Sequence, residues 1–276
     1  MTSIGLVSIV MPCFNSAQYV GTAIESLLFQ TYSLWELLVV NDGSSDDTYD
    51  VIKSFSDPRI KLFSQSNRGV SAARNVGLDS VVGEFITFLD ADDTLPNHSL
   101  ECRVNFLNQH RNVSIVAGSI NRCNSDMSHV LSIDQFTYQG FLLEPLARLS
   151  QSVFTLPFYM FRSSSLGNIR FNPSFSHCED ILFFLQISEY SGLFLNSIDL
   201  CVYNYRTGHP SAMSDMASMN SCLIRLNRYI SSRNKISLLS KLISRFRIAR
   251  IVSLQYASLG AYLMIPISFI RAVLAI

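Results

Sequence analysis

Residues 6–11 (LVSIVM) form a short apolar run rich in β-branched side chains, closed by Pro12. Such a run predicts a buried strand. Val20, Ala23, Ile24, Leu27 and Leu28 then recur at helical spacing, with Asn15 and Gln18 at capping-box spacing before them. Residues 36–40 (ELLVV) predict a second strand, stopped by the turn signal Asn41-Asp42-Gly43-Ser44. A helix is expected over 48–55, with Val51, Ile52 and Phe55 on one face. A strand over 60–63, a helix over 71–82 and a strand over 84–89 (EFITFL) follow. This alternation predicts an α/β fold: a Rossmann-like, mostly parallel sheet flanked by helices. Further on, the pattern suggests a strand at 114–118, a helix at 140–149 and a strand at 200–205. A helix from 179 would bury Ile181, Leu182, Phe184, Leu185 and Ile187. Residues 215–276 read as helices.

Open α/β sheets bind ligands beyond the carboxyl ends of their strands. Three expected strand ends carry polar clusters: Pro12-Cys13-Phe14-Asn15, Asn41-Asp42-Gly43-Ser44 and Asp90-Ala91-Asp92-Asp93. No glycine-rich phosphate loop of the GxGxxG or Walker type is present, so the site offers carboxylates instead. A diphosphate approaches carboxylates only through a cation. On an extended Asp-x-Asp segment one carboxylate can face a sugar hydroxyl while the other holds Mg²⁺ or Mn²⁺, hard ions that take oxygen ligands. A buried Asp42 can accept hydrogen bonds from a base or a ribose. Each cluster alone also reads as a plain solvated turn; their recurrence at successive strand ends favours a site.

Charge divides the chain. Residues 215–276 hold nine Lys/Arg and one acid, Asp215, leaving 12 basic and 20 acidic side chains in residues 1–214. Residues 251–270 carry no charge, and Lys241, Arg245, Arg247 and Arg250 interleave with Leu242, Ile243, Phe246 and Ile248. That mixture suits a helix lying on an anionic membrane surface. A transmembrane span, a helical hairpin packed on the core and a homo-oligomer contact are the other readings. The six cysteines lack metal-type spacing and read as free thiols of a reducing compartment. Residues 1–11 lack the basic start of a signal peptide, so the expected location is cytoplasmic.

Four segments together resemble family 2 of the glycosyltransferases, inverting enzymes with the GT-A fold: VSIVMPCFNS (7–16), ELLVVNDGSSDDT (36–48), NRGVSAARNVGL (67–78) and EFITFLDADD (84–93). HCEDILFFLQ (177–186) and YNYRTGHPSAMS (203–214) resemble it more weakly. The resemblance implies a GT-A catalytic domain over residues 1–214, with its nucleotide-sugar half at 1–95 and its acceptor half at 96–214, and a helical tail over 215–276. It implies that Pro12, Phe14, Asn15, Asp42, Asn67, Arg74, Asp90 and Ala91 bind the donor nucleotide, most often a UDP-sugar. Asp92 would hold Mn²⁺ or Mg²⁺, with His209 as a further candidate ligand. Arg206 and Ser211 would face the diphosphate. Asp180 would be the base, with Glu179 beside it. The implied acceptor is a glycan hydroxyl, polyprenyl-diphosphate-linked, in bacterial surface polysaccharide (O-antigen or capsule) synthesis. The enzyme would work as a peripheral protein on the cytoplasmic face of the inner membrane, and no nucleic-acid partner is implied.

Two other readings stay open on the sequence. Asp90-Ala-Asp-Asp-Thr94 also spells the Asp-x-Asp-x-Thr signature of haloacid-dehalogenase-like phosphatases, in which Asp90 would be the nucleophile. That signature usually ends the first strand of its fold, whereas three βα units precede it here. The chain could also be a non-catalytic subunit that binds a nucleotide-sugar and scaffolds a complex.

Overall fold

The computed structural model describes residues 3–153, 157–208 and 215–258. His209, Ser211 and most of the uncharged stretch 251–270 lie outside the described residues. The first half follows the expected rhythm: β1 (Ser3–Cys13), α1 (Val20–Leu28), β2 (Trp35–Asp42), α2 (Thr48–Lys53), β3 (Ile60–Gln65), α3 (Val70–Asp79) and β4 (Gly83–Phe88). These four strands pair in parallel in the order β3-β2-β1-β4. All eight residues of β2 are buried, as in a strand covered on both faces.

The second half departs from the expectation of a mostly parallel sheet. It comprises α4 (Ser99–Gln109), β5 (Ile115–Cys123), β6 (Val130–Asp134), β7 (Gly140–Phe141), α5 (Leu143–Ala147), β8 (Met160–Arg162), α6 (Glu179–Ser191) and β9 (Phe194–Arg206). The nine-stranded sheet continues β4-β8-β5-β9-β7, with β6 on β5. Here β8 pairs antiparallel with both β4 and β5, and β6 and β7 are antiparallel to their neighbours; only β5 and β9 are parallel. The sheet is therefore mixed. The helix-crossover rhythm that dictates parallel pairing ends at β4, and a hairpin such as β5–β6 pairs antiparallel by construction. The helix expected over 140–149 is confined to α5, because Gly140 and Phe141 pair with β9 instead.

Alternation along the strands feeds two cores. Val10, Leu38, Ile86 and Phe88 point to one face, with α5 and α6. Ile9, Met11, Leu37, Val39 and Phe85 point to the other, with α1 and α4. The chain ends in α7 (Met216–Ser232) and α8 (Leu238–Ser258). Leu223, Leu226, Ile230, Ile248, Ala249 and Val252 join the first core, so the described part of the tail packs on the body of the protein. No helix among the described residues is long and apolar enough to cross a membrane. The six cysteines are free.

Helix α3 presses against β1 where Gly77 meets Val10. A Cβ at Gly77 would stand 2.4 Å from Val10 Cγ1. Gly77→Ala should therefore force the helix off the sheet despite the better helix propensity of alanine. The expected cost is about 1–3 kcal/mol, read from urea unfolding. Unchanged or raised stability would contradict the tight contact.

Candidate functional site

The polar ends of β1 and β2 are stapled to each other. Asn15 adopts a left-handed backbone (φ 48°). Its N–H donates to Ser44 Oγ at 2.9 Å, and its Oδ1 accepts the Ser45 N–H at 2.8 Å. Ser16 N donates to Thr48 Oγ1 and Ala17 N to Asp46 Oδ2. These cross-loop bonds displace the expected capping box: α1 starts at Val20, and no side chain caps it. Pro12 lies half-buried at the head of the loop, while Phe14 is 49% exposed beside it, an aromatic face available to a base. Ser44, Asp46 and Thr48 carry this geometry; the sequence placed Ser44 in a strand-end cluster and Thr48 at a helix start, and assigned none of the three a role of its own.

Asp42 is buried at the end of β2. Its Oδ1 accepts from Gln65 Nε2 at 2.6 Å and Arg68 N at 2.9 Å, and its Oδ2 from Gly69 N at 2.8 Å. The carboxylate thus fixes the loop that carries Asn67, which is exposed, into α3. Gly43 has φ 73°, and a Cβ there would meet Asn67 N at 2.6 Å, so the turn requires glycine.

Arg74 on α3 is the buried centre of the site. Its Nη2 donates to Asp90 Oδ1 at 3.1 Å and its Nη1 to Glu179 Oε1 at 2.8 Å. The guanidinium also lies against Phe171, 5.4 Å from the ring centroid. Arg74 is thus a buried bridge between the end of β4 and the start of α6, not a surface ion pair.

Segment 90–93 is a turn, not the extended strand end that was expected. Asp93 N donates to Asp90 O at 3.1 Å, and Ala91 is buried beneath. Asp93 turns inward: Tyr203 Oη donates to its Oδ2 at 2.8 Å and Arg206 N to its Oδ1 at 2.7 Å. Burial, with Asp90 and Asp92 nearby, pushes the Asp93 carboxyl up to about 8. Tyr203 Oη in turn accepts the Asp90 N–H at 3.2 Å. The Arg206 side chain, buried, donates to Asp92 O at 2.6 Å and to Ser125 O, and stacks over Tyr19. In this structure Arg206 braces the Asp92 turn from beneath. Asp93 and Tyr203 are the members of the clasp that the sequence did not single out.

Glu179 and Asp180 open α6 after Cys178, which is left-handed at φ 58°. Desolvation, and then the neighbouring Glu179, push Asp180 up to about 6. Burial raises Asp90 too, with Arg74 pulling the other way. Asp90, Glu179 and Asp180 therefore gather about one guanidinium, with Asp92 close to Asp90.

The donor set fits a hard divalent cation. Such an ion takes one or two carboxylates and fills its other positions with substrate phosphate and water. Asp92 lies close enough to Asp90 that its charge, after burial, adds to the rise of the Asp90 carboxyl. Among the described residues no group of three His, Cys, Asp or Glu converges as a ready ligand set.

Solved structures share this architecture. S. aureus TarS 1-349 in complex with UDP-GlcNAc superposes with TM-score 0.72 at 21% identity, covering 99% of this chain and 82% of that one. The mannosyltransferase PcManGT from Pyrobaculum calidifontis, in complex with GDP-Man and Mn²⁺, gives 0.64 at 16% identity over 97% and 86%. The fold is that of GT-A glycosyltransferases. Among sequence relatives, an uncharacterized glycosyltransferase of Haemophilus influenzae is 34% identical over 65% of this chain and 70% of its own length. The Escherichia coli UDP-Glc:alpha-D-GlcNAc-diphosphoundecaprenol beta-1,3-glucosyltransferase WfgD is 37% identical over 55% of this chain and 64% of its own length. The aspartate turn ends the fourth strand, which leaves no support for the phosphatase reading of Asp90. The model of glycosyl transferase family 2 matches residues 8–170, and the chain belongs to that family.

Proposed function

We propose that this protein is an inverting glycosyltransferase that moves a sugar from a UDP-sugar to a hydroxyl of a lipid-linked glycan during bacterial surface polysaccharide synthesis. The observation that carries the reading is the Arg74 bridge: it ties up Glu179 and Asp90 and leaves the carboxylate of Asp180 at the head of α6. TarS bound to UDP-GlcNAc and the name of WfgD support the donor and acceptor classes.

The residues then take distinct roles. Phe14 offers its face to the base, and Asp42 and Asn67 line the nucleotide pocket with Pro12 and Asn15. Asp90 and Ala91 lie under the ribose and the sugar. Asp92, with Asp90 beside it, would hold Mn²⁺ or Mg²⁺, which when bound neutralises the diphosphate that leaves. Arg206 keeps the Asp92 turn in place; His209 and Ser211 are assigned to the metal and the diphosphate from the sequence alone. Asp180 takes the proton of the acceptor hydroxyl as it attacks. A carboxylate raised to about 6 is a stronger base than an ordinary one and is still ionised at neutral pH.

The outer face of α8 suits a bilayer on the cytoplasmic side of the inner membrane. Leu239, Leu242, Phe246 and Leu254 are exposed there, and Arg250 lies among them. The helix holds no acidic residue. Such a mix favours anionic lipid.

Four outcomes are expected. Calorimetry should find UDP binding that requires Mn²⁺ or Mg²⁺ and is lost in Asp92→Ala; metal-independent binding, or none, would defeat the donor-site reading. Asp180→Asn should retain UDP binding and lose about 10²–10⁴-fold in kcat. Because the base works deprotonated and its pKa is raised, kcat/KM should fall as pH drops through about 6 and level off above it. An acid limb that persists in Asp180→Asn would remove Asp180 from the role. Leu242→Glu with Phe246→Glu should weaken sedimentation with phosphatidylglycerol vesicles on the order of tenfold; unchanged sedimentation would reject the helix face as the contact.

A further inference from the structure

A second cleft, of about 820 Å³, opens where the far end of α6 meets the α7–α8 turn. It lies about 15 Å along α6 from Asp180, ten residues at the helical rise. Its walls come from three segments: the loop at 168–170, the last turns of α6 and residues 229–235. The family resemblance assigned no role to any of them.

Three cations converge on it, and each is anchored from behind. Arg233 Nε donates to Glu189 Oε1 at 2.8 Å. Lys235 Nζ donates to the Glu189 carbonyl. Arg170 uses Nε on Asp79 Oδ1 at 2.7 Å and Nη1 on Ile169 O at 2.9 Å. These bonds leave donors over: the two terminal nitrogens of Arg233, Nη2 of Arg170 and two N–H of the Lys235 ammonium. Arg170 and Arg233 are one-third to one-half exposed, so those donors can reach a ligand.

The one carboxylate on the wall does not cancel this. The Glu189 side chain is 8% exposed, and both oxygens are occupied, Oε1 by Arg233 and Oε2 by Tyr229 Oη at 2.6 Å. Glu189 therefore acts as the buried post on which Arg233 is oriented. Asp79, itself exposed, pairs with Arg170 through Nε and leaves its Nη2 over. What remains facing the cleft is cationic, with the amides of Asn168, Gln186 and Asn234 beside it.

We propose that this cleft is a binding site for a phosphate group, separate from the donor site. Guanidinium forks match phosphate oxygens in pairs, and a lysine adds a point charge. Anchored cations lose little side-chain freedom on binding, which favours affinity. The group can arrive on a lipid headgroup or on a soluble phosphate. The cleft adjoins the start of α8, where Leu238 and Leu239 are exposed, so a headgroup within a bilayer is in reach.

The test uses the full chain saturated with UDP and Mn²⁺, so that phosphate cannot report on the donor site. Inorganic phosphate and glycerol 3-phosphate are titrated by calorimetry, and vesicles of phosphatidylcholine with and without phosphatidic acid by sedimentation. Lys235→Gln and Arg170→Gln are compared with the parent, with UDP affinity as the control for folding and for the donor site. Saturable binding of the soluble phosphates, weakened at least about fivefold in both variants while UDP affinity holds, supports the site and a soluble source. Phosphatidic-acid-dependent vesicle binding that both variants weaken, without soluble phosphate binding, supports the site and a lipid source. Binding of either kind that neither variant changes, or no binding to any probe, overturns the proposal. Loss of UDP binding in the parent would instead strike at the donor-site reading.

Discussion

The guanidinium of Arg74 sits between Asp90, from the end of β4, and Glu179, from the start of α6, with almost no access to solvent. Burial works against its charge, and Asp90 and then Glu179 more than offset that. Removing a partner from such an arrangement leaves an unpaired buried charge, among the most costly defects a fold can carry. The bridge therefore fixes how α6 closes on α3 and the end of β4. It also sorts two adjacent carboxylates. Glu179 is drawn to the cation, while Asp180 feels Arg74 only weakly and is governed by burial and by Glu179.

Charge is out of balance at this point by design of the sequence. Three carboxylates, Asp90, Glu179 and Asp180, gather about one cation, and a fourth, Asp92, lies close to Asp90. Burial first, and this surplus negative charge after it, displace Asp90 and Asp180 upward. A divalent cation between Asp90 and Asp92 would relieve it, and the diphosphate that follows would be drawn to the cation and not to the protein. The clasp beneath serves the same end. Asp93, raised by burial, is held by Tyr203 and the Arg206 amide, and the Arg206 side chain fixes the carbonyl of Asp92. Asp92, between turn and clasp, is thus held through its backbone carbonyl.

The βα half of the fold was readable because its signals are local. Period-two and period-3.6 patterns over 6–89 compete with nothing, and turn residues separate them cleanly. The three strand-end clusters did converge. What escaped the sequence depends on partners far along the chain. Tyr203 reaches Asp93 across 110 positions, and Arg74 reaches Glu179 across 105. No spacing rule encodes such pairs. Asn15 shows the opposite case: its local capping pattern is present, but Ser45 offers its amide across the loop, and the tertiary bond wins. The antiparallel entry of β8 was hidden for a further reason. Three residues are too few to carry a periodicity.

The helical tail joins these arguments. Read as sequence, its apolar residues admitted either a packed hairpin or a membrane contact. The structure divides them by face. Ile248, Ala249 and Val252 enter the core, while Leu239, Leu242, Phe246 and Leu254 stay outside on the same helix. One face of α8 thus satisfies the core, and the other retains an apolar strip that water alone does not explain. Because the inner face packs on the core that α6 also enters, whatever the outer face rests on is rigidly placed relative to Asp180. An acceptor anchored in a bilayer would need that relation: the hydroxyl can reach the base only if the distance from surface to cleft is set by packed structure, not by a flexible linker.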